Sequence, residues 1–125
     1  MEIVILVIRI LLGLLFVVFG LNGWLHFIPL PPREGRAAEF VGAMISSGYF
    51  NIILVLQVIG GLLLLTGISA PLGLTLLGPI IVNIVIFHLF MDRKGIGLAL
   101  VIAILSLFLV WQYWASFAGL LYSPS

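Results

Sequence analysis

The sequence has no cysteine and little charge, and each shortage removes whole classes of function. Without cysteine there is no thiol nucleophile, CxxC redox pair, iron–sulfur ligation, disulfide or S-acylation, because each needs that sulfur. Any redox role must therefore belong to a bound cofactor or a partner. Charged residues make up 7% of the 125, whereas a soluble domain of this length carries about a quarter. The formal net charge is +1 with no basic run to neutralise phosphates, so nucleic acid is not an expected partner. Acids and bases are scarce too: Glu2, Glu34, Glu39, Asp92, His26 and His88 are the candidates, and no nucleophile sits at a recognisable motif spacing. An independent enzyme is not expected.

What the sequence does have is apolar length. Hydrophobic residues are 64% of the chain, and its natural solvent is lipid. A helix needs roughly 20 largely apolar residues to cross a hydrocarbon core about 30 Å thick. Four runs meet that length, at about Ile3–Leu21, Phe50–Ile68, Leu72–Phe90 and Ile96–Phe117. They are continuous and lack the period-two alternation of barrel strands. The expected fold class is all-α: one domain over residues 1–125, an antiparallel bundle of four transmembrane helices with a short amphipathic helix between spans one and two.

The first run is not read as a signal peptide, because it begins with Glu2 rather than a basic region, is too long and lacks a small-residue cleavage site. Arg9, Gly13, Phe16 and Gly20 share one helix face, with Arg9 expected to snorkel to the nearer interface. Asn22 and His26 lie one turn apart at the span's exit, before the prolines of HFIPLPP stop the helix. From Arg33 to Ser47, Ala37, Phe40, Val41, Met44 and Ile45 recur at helical spacing opposite Arg33, Arg36 and Glu39, a surface-lying amphipathic helix that Gly48 ends.

The second span carries Gln57 near its middle, then Gly60, Gly61 and Gly67, which suit close helix packing. Ser69, Ala70 and Pro71 form a turn short enough to require an antiparallel neighbour. In the third span Gly78-Pro79 predicts a kink, followed by Asn83 and His88. Asp92–Gly95 links to the fourth span, whose Trp111, Gln112, Tyr113 and Trp114 form an aromatic girdle.

Arg33, Arg36, Arg93 and Lys94 fall in the first and third loops, against Arg9 alone on the other side. The positive-inside rule then puts those loops in the cytoplasm and both termini outside. Lipid offers polar groups no partner, so the spans' polar residues are expected to turn inward. That predicts a pocket open toward the first and third loops, lined by Asn22, His26, Gln57, Asn83 and His88 as ligand-binding residues.

Taken together, RxxxG-LLF-xxxGLN, HFIPLPP, SGYF, GGLLLLTG and GPIIVNIVIFHLF, in this order and spacing, resemble the DoxX-like family of small four-helix membrane proteins. The resemblance covers nearly the whole chain and falls on Arg9, Gly13, Gly20, Asn22, Gly60, Gly61, Gly67, Pro79, Asn83 and His88. It departs at Gln57, where many relatives have Glu, and at Gly23, where others have Lys; losing both charges weighs against a proton-coupled mechanism there. The family name comes from a subunit linked to a thiosulfate:quinone oxidoreductase, and more distant relatives act as membrane chaperones or cargo adaptors. The resemblance thus implies an integral protein of a bacterial cytoplasmic membrane that binds a quinone or lipid as an auxiliary subunit of a redox system. An assembly or stability factor that grips another membrane protein, or itself, is the alternative, and a small-molecule transporter ranks third. Metal ligation is not expected, and haem held by His26 and His88 is disfavoured against a quinone, which needs only an apolar slot and one or two hydrogen-bond donors.

Overall fold

A computed structural model describes residues 1–29 and 32–121, and every regular element among them is helical. In order these are α1 (Glu2–Leu25), α2 (Gly35–Ser46), α3 (Tyr49–Thr66), α4 (Ala70–Phe90), a 3-10 turn at Arg93–Gly95, α5 (Ile96–Gln112) and α6 (Trp114–Leu121). Four helices are long and apolar enough to cross a membrane: α1, α3, α4, and α5 together with the turn before it. The all-α, four-span architecture is as the apolar runs predict, and an integral membrane protein fits it.

The helix ends differ from expectation where the chain leaves the hydrocarbon. The first span continues past Leu21 to Leu25, and the chain then turns at His26, whose φ of 51° and ψ of 40° are left-handed. The helix therefore stops before Pro29; Leu30 and Pro31 of the HFIPLPP stretch lie outside the described residues. The fourth span does not reach Phe117. It ends at Gln112, Tyr113 makes a turn, and α6 follows as a separate helix. Arg93–Gln112 spans 20 residues, which at 1.5 Å per residue crosses a core of about 30 Å. Past that depth water can bond a carbonyl freed by a break.

Packing is organised by α3, which lies between α1 and α4. Its adjacent glycines serve opposite neighbours. A methyl group at Gly73 would lie 2.8 Å from the Gly60 carbonyl oxygen, so α3 and α4 touch backbone to backbone there. Gly61 turns about 100° away and meets α1 at Gly13. Small residues let backbones approach this closely, which is how helices gain dispersion contacts in lipid. α5 closes the bundle against α4 and α1 around Leu12, Phe16, Leu64, Leu77 and Leu109.

The α4 helix runs unbroken through Pro79. Ser69 caps its start, its Oγ accepting from the Leu72 amide at 3.3 Å. The amphipathic α2 forms with the predicted stripe but over Gly35–Ser46, leaving Arg33 before it, and Ser47 caps its end while Gly48, with a φ of 81°, opens α3. Ala37 is buried, and Phe40 stacks on Phe87 of α4 at 5.8 Å between ring centroids. Ile45 stays 57% exposed, so the apolar stripe of α2 is only partly covered by protein and suits an interfacial position.

Candidate functional site

The five residues expected to line one pocket are distributed along α1 and its C-cap, α3 and α4, and among the described residues none makes its side-chain hydrogen bond to another of the five. Asn22, 4% exposed, holds the peptide of Ile28: its Oδ1 accepts from the Ile28 amide at 2.7 Å and its Nδ2 donates to the Ile28 carbonyl at 3.2 Å. The carboxamide thereby fixes the chain as it leaves α1 through the left-handed His26. His26 itself is exposed, with its backbone amide bonded to the Asn22 carbonyl at 2.9 Å. The paired carboxamide and imidazole read from the sequence do not form, because the helix ends between them.

Gln57 is half-buried in the α1–α3 seam and donates from Nε2 to the Phe16 carbonyl at 3.2 Å. Gly20 lies against the same seam, where a methyl group would be 2.7 Å from the Val58 Cγ2 and in ordinary contact, at 3.6 Å, with the Gln57 Nε2. Asn22 follows Gly20 by two residues, about 200° around the helix, and so leaves α1 on the side away from Gln57. Asn83 is exposed on α4 and donates to the Pro79 carbonyl one turn back, at 2.8 Å. Asn22, Gln57 and His88 are at least half-buried, as the cost of polar groups in lipid predicts, but Asn22 and Gln57 lie on different sides of α1.

His88 is half-buried at the lower end of α4, with Nδ1 2.7 Å from the Ile84 carbonyl oxygen. An oxygen acceptor there requires the proton on Nδ1, so in the neutral ring Nε2 is left as an acceptor. That edge of the ring rests on Gly95, where a methyl group would lie 2.5 Å from Nε2. Phe87 meets the ring edge-on at 5.3 Å, and the Arg33 guanidinium lies 5.6 Å from the centre of the Phe87 ring. His88 thus joins α4 to the Asp92–Gly95 link and, through Phe87, to α2.

The helices also form grooves that the polar residues do not reveal. A groove of about 300 Å³ runs between α4 and α5, walled by Gly78, Ile81, Val85, Ala103, Ser106 and Leu107 among others. Gly78 leaves it open, for a methyl group there would meet nothing within 4 Å. Ser106 is the one polar side chain in its wall, and the Ser106 Oγ is buried without a hydrogen-bond partner. A second groove of about 280 Å³ follows α3 at Ile59, Leu62, Leu63, Thr66 and Ile68. None of Asn22, His26, Gln57, Asn83 or His88 lines either groove. The signal in the sequence was the small-residue pairing of Gly78 with Ala103 and Ser106 across two apolar helices, which thins both walls at one depth.

Among the described residues, no three His, Asp or Glu side chains cluster as metal ligands. Comparison with known proteins gives no family model, no curated protein and no solved structure that matches this chain.

Proposed function

We propose that this is a non-catalytic membrane subunit that holds the apolar chain of a lipid or a quinone in the groove between α4 and α5. The observation that carries the reading is the groove itself, about 300 Å³ of apolar wall at span depth with a single unbonded hydroxyl, that of Ser106. Its volume and lining suit an acyl or isoprenoid chain, since small-molecule sites are concave, mostly apolar and carry few polar groups. The Ser106 hydroxyl supplies one hydrogen bond to an ester or quinone carbonyl. The redox setting, and membership of the DoxX-like family, rest on the motifs that resemble it. In the orientation we assign, Arg33, Arg36, Arg93 and Lys94 face the cytoplasm, in keeping with positive-inside charge.

Purification in mild detergent followed by lipid extraction and mass spectrometry tests this. A lipid or quinone should be retained near one per chain, and Gly78→Leu, which fills the groove without meeting backbone, should lower retention at least five-fold while the protein stays folded. Equal retention by the variant overturns the groove reading. A co-purifying membrane protein in place of any retained lipid favours the assembly-factor alternative.

A further inference from the structure

Asn83 is out of place. It lies about 10 Å along the axis from the Phe90 end of α4 and about 20 Å from the Ala70 end, well inside a hydrocarbon core of about 30 Å. Its side chain is nevertheless exposed, on a face it shares with the exposed Leu72, Pro79, Ile86 and Phe90 and the half-buried Leu76 and Phe87. One Nδ2 hydrogen goes to the Pro79 carbonyl, while the second hydrogen and both lone pairs of Oδ1 have no partner among the described residues. Lipid cannot bond them, and an amide left unpaired in hydrocarbon is costly.

We propose that the Asn83 face of α4 is the contact between two copies of this chain, joined by reciprocal hydrogen bonds between their Asn83 carboxamides. Every copy inserts in the membrane the same way, so a second copy always brings an amide to this depth, on a helix parallel to the first. A two-fold axis along the membrane normal sets the two side chains opposite each other. Each free N–H then donates to the other Oδ1, and every polar atom of both amides is bonded. A lipid chain has no group to offer at this depth, and an unrelated protein would need a matching one. Polar side chains that bond across helices are a recognised source of association in membranes. The contact is separate from the α4–α5 groove, whose centre lies about a quarter turn or more around α4, although Ile86 borders both.

The native chain has no cysteine, so single-cysteine variants report without background. Ile86→Cys, one turn from Asn83, is oxidised in native membranes alongside Ile52→Cys on α3 and Ile104→Cys on α5, both exposed elsewhere on the bundle. Ile86→Cys should give a disulfide-linked dimer at least five-fold faster than either control. Adding Asn83→Leu should reduce it to the control rate, and Asn83→Gln, which keeps an amide, should preserve most of it. Thermal unfolding of each variant in detergent verifies the fold. Equal rates at the three cysteines, a rate that Asn83→Leu leaves unchanged, or a linked product heavier than two copies overturns the proposal. Lipid retention is measured separately, so failure here leaves the groove reading standing and the reverse holds too.

Discussion

Gly13 and Gly61 meet backbone to backbone where α1 crosses α3. A methyl group on Gly13 would lie 2.8 Å from the Gly61 carbonyl oxygen, and one on Gly61 would lie 3.0 Å from the Gly13 carbonyl oxygen. Both obstacles are main chain, which cannot rotate aside as a side-chain tip can. Gly13→Ala and Gly61→Ala should each destabilise the protein by about 1–3 kcal/mol, the usual cost of overpacking a tight contact. Gly78→Ala faces open space and should stay within about 1 kcal/mol of the parent, the scale of the helix propensity it gains. Unfolding in a graded mixture of mild and denaturing detergent separates the two cases, and equal effects at the three positions would contradict this account.

The Asn22 clamp on Ile28 makes a prediction about the connection that follows α1. Asn22→Leu leaves the half-buried Ile28 amide and carbonyl without their partners, a loss of about 1 kcal/mol, the low end of the penalty for an unpaired polar group. The left-handed turn at His26 then loses its hold, and the chain beyond it opens locally before the bundle does. Limited proteolysis should cut between Phe27 and Arg36 several-fold faster in the variant while α3 to α5 resist. Unchanged cleavage would mean that the turn holds without the carboxamide.

The contrast between Asn22 and Asn83 marks how far the sequence could be read. Continuous apolar length gives the four crossings, because only a helix satisfies a single segment's backbone in lipid. The α2 stripe and the glycines of α3 were equally plain, since both are matters of spacing. The shared pocket was not, because the rule that polar groups turn inward treats the backbone as saturated. Asn83 and His88 instead bond carbonyls one turn back on α4, and Gln57 bonds a carbonyl of α1, so none needs the others. The end of α5 at Gln112 was hidden for a related reason: an aromatic girdle marks the interface but does not fix where a helix breaks within it. The α4–α5 groove was faint because small residues on two separate helices must first be put in register.

Arg9 bears on Gly67 at the opposite end of the bundle from His88, and their coupling can be measured. The α3 helix ends on Gly67, whose φ is 75° and whose amide bonds the Leu63 carbonyl at 3.1 Å. The half-buried Arg9 sets its guanidinium on that cap, so a methyl group at position 67 would lie 2.5 Å from Nη1. The position suits a cation, because the last carbonyls of α3 carry the negative end of the helix dipole. It also gives Arg9 a way to remain in the first span, although its Nε is buried without a partner. Gly67→Ala therefore faces two costs. The left-handed conformation is worth about 1–2 kcal/mol against an L side chain, and the displaced guanidinium gives up a further 0.3–1 kcal/mol or about that at the helix end. In an Arg9→Ala background only the first cost remains. A double-mutant cycle by thermal unfolding should then show Gly67→Ala less harmful there by roughly 0.5–1 kcal/mol, beyond the error expected for independent sites. Strict additivity would mean that the guanidinium moves off the cap freely and that Arg9 is held by something other than the end of α3.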